Sequence, residues 1–174
     1  MILEHNGIAP QIEASVFLAP SACVIGDVQI GEKSSLWFNV LVRGDVNYIR
    51  IGKRTNIQDG TVIHVTRKTH PTVIGDDVSV GHSVTLHGCT IQDRCLIGIG
   101  AIILDGVEVG ESSLVAAGSL LTPGTKVPPR SLVMGSPARV RKELTDADCA
   151  DFHAIAERYI TYQDDYRNNV KRID

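Results

Sequence analysis

IQDRCL (91–96), IGIGAI (97–102), ILDGVE (103–108), VGESSL (109–114), VAAGSL (115–120), LTPGTK (121–126) and VPPRSL (127–132) follow one another without a gap, and each hexad opens on an aliphatic residue. The next aliphatic position is Val133. The same interval runs upstream through Ile12, Leu18, Val24, Ile30, Leu36 and Val42, then Ile51, Ile57 and Ile63, then Ile74, Val80 and Leu86. A half-buried strand repeats every second residue and a helix roughly every 3.6. A period of six is neither. It is a short strand plus a corner, with the aliphatic side chain turned inward each time. Three hexads close a triangular coil, and coils stack at the strand spacing of ~4.8 Å. One coil cannot bury its own core, so the stack is the domain. The spacing therefore predicts a parallel β-helix of about seven coils.

Hexapeptide chains of this kind resemble the left-handed parallel β-helix family. The left hand is what that resemblance implies, against the usual right-handed crossover. The fold expected is all-β, a left-handed parallel β-helix over residues 1–139, with a C-terminal α-helix in residues 140–174 packing on the prism. Gly135-Ser136-Pro137-Ala138-Arg139 ends the period and reads as a turn off the prism. Beyond it, Thr145 is the expected N-cap with Asp148 three residues on. Phe152, Ile155, Tyr159, Tyr162 and Tyr166 form one apolar stripe at helical spacing, facing the prism or a neighbouring subunit. The tail from Arg167 to Asp174 is polar and reads as frayed.

Composition narrows the function. The chain has 174 residues, 43% of them hydrophobic, and a formal net charge of −3. That balance gives no support to a nucleic-acid or membrane-surface role. No apolar run approaches the ~20 residues of a membrane span. Met1 to Pro10 has neither a basic start nor a long apolar run, so no secretory leader is expected. Cys23, Cys89, Cys95 and Cys149 show no paired spacing and read as buried thiols of a cytoplasmic protein.

The repeat is faulty in three places, and the polar residues gather there. Label the faces a, b and c from Ile12. Val42, Ile63 and Leu86 then all fall on face c, and each precedes an irregular step: nine residues to Ile51, eleven to Ile74, five to Ile91. Solenoids carry insertions on one functional side. Arg43, His64 and His87 directly follow these face-c residues, so they form one column in consecutive coils. His64 and His87 should stack ~5 Å apart, close enough to share one metal ion. Asp59 and His82 each lie two places after a face-b residue and form a second column. His82 is therefore displaced by most of a face. As a ligand it would serve the site of a neighbouring subunit, which suggests a cyclic trimer.

Arg43-Gly44-Asp45, Asn56-Ile57-Gln58-Asp59, His64, Gly81-His82 and Leu86-His87-Gly88 together resemble the γ-class carbonic anhydrases, over essentially the whole chain. The resemblance implies a homotrimer with three metal sites between subunits. In it His64 and His87 come from one chain and His82 from the next. It implies that Arg43 and Asp45 form an ion pair between subunits. Gln58 would orient a metal-bound hydroxide, Asp59 would be its hydrogen-bonding partner, and Tyr159 would approach from the helix. The implied activity is lyase chemistry, hydroxide attack on carbon dioxide to give bicarbonate. The implied cofactor is a divalent metal, Zn first, with Fe or Co also suited to imidazole.

The chain departs from that family in its acidic residues. Val46 stands where the resemblance expects Glu, and Val65-Thr66-Arg67-Lys68-Thr69-His70 is basic where an acidic loop is expected. Both positions resemble a proton-exit apparatus, so slow turnover is expected. His70 has the chemistry of a shuttle, although a loop histidine is more often simply solvated. Three other functions suit the same prism: an acyl-CoA thioesterase-like hydrolase, a hexapeptide acyltransferase and a non-catalytic trimeric scaffold. A three-histidine set argues against the acyltransferase, which typically uses one His as base.

Overall fold

The computed structural model describes residues 1–171 and 173, without the side chain of residue 153. Among these residues it is a parallel-strand β-solenoid of about seven turns with a single C-terminal helix. The hexad positions stack in the register that the spacing sets. On face a, Ile12, Ile30, Ile51, Ile74, Ile91, Val109 and Val127 lie one above another. On face b the column is Leu18, Leu36, Ile57, Val80, Ile97, Val115 and Val133. On face c it is Val24, Val42, Ile63, Leu86, Ile103 and Leu121. From Val24 onward these side chains form one continuous buried core, each contributing about 1.5–3 kcal/mol relative to exposure. Cys89, Cys95 and the Ala and Val residues at intermediate positions fill the corners. Burial pushes the thiols of Cys89 and Cys95 up to about 12, so both remain protonated core residues at neutral pH.

Two strands are longer than the hexad provides for. Cys23–Ile30 and Leu41–Ile51 run through the corner between faces c and a, joining these faces, among the described residues, into one sheet of 12 strands; face b forms a separate sheet of eight. The first irregular step resides here. Gly26 pairs with Gly44 and Val28 with Ile49, so Asp45 to Tyr48 bulge out opposite Asp27. The second irregular step is a tight loop closed by a bridge between Thr66 and His70. Both insertions, and the shortened step after Leu86, sit on the c-to-a corner.

After Ser131–Gly135 the chain turns through Ser136 and Pro137 and returns antiparallel as Ala138–Glu143. The helix then runs Asp146–Asn169. Thr145 caps it: its hydroxyl accepts from Asp148 N (3.2 Å), and the Asp148 carboxylate accepts from Thr145 N (2.9 Å). This is the reciprocal arrangement of a capping box. The apolar stripe lies on face b of its own prism. Phe152 and Ile155 pack with Leu96, Leu114 and Leu132, while Tyr159 and Tyr166 pack with Phe17, Trp37 and Phe38. The end of the helix is tied down more than its polarity implies, since Arg167 donates to Ser15 O at 2.7 Å. Arg172 and Asp174, the end of the tail read as frayed, lie outside the described residues.

Candidate metal centre

His64 and His87 are paired residues on adjacent face-c strands, Val62–His64 and Thr85–His87. Parallel pairing puts both side chains on the outer surface at one height apart. Their ring centroids are 5.1 Å apart, and His64 Nδ1 lies 3.2 Å from His87 Nε2. The other nitrogen of each ring faces a carboxylate: His64 Nε2 lies 2.9 Å from Asp45 Oδ1, and His87 Nδ1 lies 2.7 Å from Asp105 Oδ1. Asp45 reaches His64 because the bulge after Gly44 lifts it over the corner.

The tautomers of these rings follow from the carboxylates they face. Burial raises the Asp45 carboxyl, but bonds from His64 and Arg43 outweigh it and hold it below its usual value. Burial likewise raises Asp105, and bonds from Thr66 and His87 bring it below its usual value. An ionised carboxylate only accepts hydrogen bonds, so the ring nitrogen facing it carries the proton. In the neutral rings, His64 Nδ1 and His87 Nε2 then confront each other with lone pairs. Such a contact needs a cation between them, a proton or a metal. Two nitrogens bound at ~2.0–2.1 Å in a tetrahedral zinc site are about 3.3 Å apart, close to the spacing seen. The donor set therefore fits a divalent metal.

His82 lies elsewhere. Its Nδ1 is 2.9 Å from Asp59 Oδ2, on the far side of face b. It lines a cavity of about 340 Å³ with Trp37, Asp59, Tyr159, Tyr162 and Tyr166, between the prism and the helix. Burial, and then the nearby Asp59 charge, push the Tyr159 phenol up. Among the described residues, no group of three or more His, Cys, Asp or Glu side chains within one chain is placed to hold a metal.

The remaining sequence-derived residues fall around these two places. Arg43 pairs with Asp45 of its own strand. Gln58 is 7% exposed and donates to Asn56 Oδ1 at 3.1 Å. Asp59 accepts from Phe38 N at 3.2 Å as well as facing His82. Val46 packs against the core. His70 bonds Thr69 Oγ1 at 2.9 Å, and its ring lies over Gly106. Asp105 and Thr66 were not singled out by sequence reasoning, yet Thr66 Oγ1 donates to Asp105 Oδ2 at 2.7 Å. The available signal was the position of Asp105, two places after the face-c residue Ile103, the same offset that places Asp59 and His82 on face b.

A family model described as Bacterial transferase hexapeptide (six repeats) matches residues 88–123. The chain is 49% identical over 160 residues to the carbonic anhydrase of Geobacillus kaustophilus (strain HTA426), covering 92% of this chain and 87% of that one. It is 47% identical over 156 residues to gamma carbonic anhydrase 1, mitochondrial, of Arabidopsis thaliana, covering 87% of this chain. It spans only 57% of that relative's length. Among solved structures, a hexapeptide transferase family protein from Anaplasma phagocytophilum superposes with a TM-score of 0.91 at 38% identity, covering 98% of both chains. Fold and site thus define a hexapeptide-repeat β-helix protein with its histidines on the prism corners. Within that class the chain belongs to the gamma carbonic anhydrase family.

Proposed function

We propose that the chain hydrates carbon dioxide to bicarbonate, at a divalent-metal site shared between neighbouring chains of a homotrimer. The observation that carries the metal reading is the 3.2 Å contact between His64 Nδ1 and His87 Nε2, each ring having its other nitrogen on a carboxylate. The reaction is supported by the names of the relatives. His82 sits with Asp59 under the helix, so in this reading it completes the centre of the next chain. Zn is the first expectation, with Fe or Co also suited to imidazole. When bound, the cation supplies hydroxide at neutral pH by lowering the pKa of water toward ~7.

The chain's own residues have the following parts. Asp45 and Asp105 hold the ring protons of His64 and His87 on the far nitrogens. Asn56 fixes the Gln58 amide, whose oxygen and second N–H remain to orient the reacting oxygen atoms. Arg43 keeps guanidinium donors beyond its Asp45 bond for an anionic product. Tyr159 closes the cavity over His82 and keeps its phenolic proton. Val46 and the basic Arg67-Lys68 turn offer no carboxylate for proton exit, which supports slow turnover. The four free cysteines support a reducing compartment such as the cytoplasm. Among the described residues, no helix is long and apolar enough to cross a membrane.

The test is stopped-flow carbon dioxide hydration with metal content measured on the same sample, comparing Zn, Co and anaerobically loaded Fe(II) forms. Rate should track metal and fall at least ~10²-fold in His87→Ala. Full metal occupancy without hydration would overturn the reaction while leaving the metal site standing, and thioester substrates would be tried next.

A further inference from the structure

We infer that Asp105 is a positioning residue for His87, fixing its tautomer and ring orientation for metal binding, and that Thr66 holds Asp105 in place. The inference rests on the reading of His87 as a metal ligand. It is carried by what the other aspartates of the same register do.

Asp76, Asp93, Asp59 and Asp105 all stand two places after an inward aliphatic residue. Each is therefore aligned with a backbone N–H of the preceding coil. On face a, Asp76 accepts from Lys53 N at 2.7 Å and Asp93 accepts from Asp76 N at 2.9 Å. These carboxylates satisfy a corner amide that the short strands leave unpaired, a structural duty. On face b, Asp59 divides its oxygens between Phe38 N and His82. The corresponding amide for Asp105 is Gly88 N. That amide is already satisfied, by Thr72 Oγ1 at 3.0 Å and His64 O at 3.2 Å. Asp105 is thus released from the structural duty, and its two oxygens go to side chains: Oδ1 to His87 Nδ1 and Oδ2 to Thr66 Oγ1, both at 2.7 Å.

Two further features keep that carboxylate where it is. Gly88 leaves the space it occupies. A Cβ there would lie 2.3 Å from Asp105 Oδ1 and 2.7 Å from His70 Cβ, so a side chain at 88 would displace the acceptor. Thr66 comes from the five-residue insertion, whose Thr66–His70 bridge presents the hydroxyl from across the corner. The glycine is the same device that seats Asp76 over Gly52 and Asp93 over Gly75, while the inserted loop supplies one end of a hydrogen-bonded chain, Thr66 to Asp105 to His87. A carboxylate on the remote nitrogen of a metal-binding imidazole fixes the tautomer, raises the basicity of the ligating nitrogen, and typically accounts for 10–100-fold in metal affinity, as an order of magnitude.

The test uses the full chain and Zn(II) alone. Zn(II) affinity is measured by competition with a chromophoric chelator for wild type, Asp105→Asn and Thr66→Val. The His87 tautomer is read in metal-free protein from long-range proton–nitrogen correlation spectra. Wild type should show His87 protonated at Nδ1. Asp105→Asn should weaken Zn(II) binding ~10–100-fold and lose the single tautomer, and Thr66→Val should shift both in the same direction by less. Asp105→Asn that folds, binds Zn(II) like wild type and keeps the tautomer overturns the inference. Should Asp105→Asn not fold, an unchanged affinity and tautomer in Thr66→Val overturns it equally. Wild type that binds no Zn(II) would be a failure of the metal reading, and the tautomer spectra then decide alone whether Asp105 holds the His87 ring.

Discussion

The coils from Ile91 to Val127 and those from Val42 to Leu86 are built on the same hexad, and their inward residues are equally buried: Ile97, Ile103, Val109, Ile63 and Leu86 are all fully sequestered. The corners differ. In the later coils every step is six residues, and a corner such as Gly98 has no room for a side chain, since a Cβ there would meet Ala117 N at 2.4 Å. In the earlier coils the c-to-a corner is lengthened twice and shortened once, and there His64, His87, Asp45 and Thr66 are found. The core therefore tolerates departures as long as they fall between inward residues. Stability resides in the column of aliphatics, while the proposed site gathers outside it, His64, His87, Asp45 and Thr66 beside the interruptions and Asp105 and His82 on regular steps. Loops of a solenoid can carry function for this reason.

That separation has a large and measurable consequence. Ile97→Ala removes most of a fully buried side chain from a stack with no nearby insertion to absorb the void. It should cost about 2–5 kcal/mol of unfolding stability, while metal content per folded chain stays that of wild type. His64→Ala, at a partly exposed corner, should do the reverse: metal is lost, and stability in chelator changes by no more than ~1 kcal/mol. Chemical denaturation with metal analysis on the folded fraction measures both. Comparable destabilisation by the two substitutions would mean that core and corner are not separable.

A smaller effect tests whether the two corners of one prism serve different chains. His64→Ala and His82→Ala each remove one proposed ligand. Unfolding and refolding them together at equal concentration produces mixed trimers. Under the interface reading, a site is intact where the His82→Ala chain supplies His64 and His87 and the His64→Ala chain supplies His82. Random assembly makes roughly one site in four complete. Metal content near that fraction sharpens the contrast between the c-to-a corner and the His82 cavity. Content no higher in the mixture than in either variant alone removes the shared site.

The sequence disclosed the regular part of this molecule almost entirely. Inward-pointing positions are set by the pleat and the corner, so a period of six fixes which residues stack on which. The His64–His87 pairing and the Asp59–His82 contact followed from register alone, and so did the Thr145 cap from local chemistry. What stayed hidden depends on conformation inside the irregular steps. Thr66 and Asp105 are 39 residues apart in sequence, and they meet only because the Thr66–His70 turn folds back over the corner. That Thr72 satisfies Gly88 N, and so frees Asp105, is a matter of which of two candidate acceptors reaches an amide first. The antiparallel return of Ala138–Glu143 was concealed for the opposite reason: the hexad had already ended, and the turn at Ser136-Pro137 carries no period to extend.

The finest test concerns a single corner residue. Val46 belongs to the bulge after Gly44 and lines a cavity of about 500 Å³ with Asp45, Asn47, Arg67 and Lys68. It stands where the family resemblance expects a carboxylate. Hydration requires a proton to leave the site in every turnover. The carboxylates lining this cavity are already engaged, Asp45 by Arg43 and His64 and Asp27 by Arg50, and beside them stand Val46 and the cations Arg67 and Lys68. Dissolved buffer would then carry the proton, and the wild-type rate should rise with imidazole buffer concentration. Val46→Glu should raise the rate a few-fold at low buffer and weaken its buffer dependence. The gain should stay short of the ~10²-fold of a fully placed proton-transfer group, because Arg67 and Lys68 will draw the new carboxylate toward themselves. Stability should change little, since Val46 is only partly buried. A wild-type rate indifferent to buffer, together with an unchanged rate in Val46→Glu, would place the slow step elsewhere. The departure at position 46 would then be a packing choice of this bulge, in keeping with the core side of the comparison rather than with its chemistry.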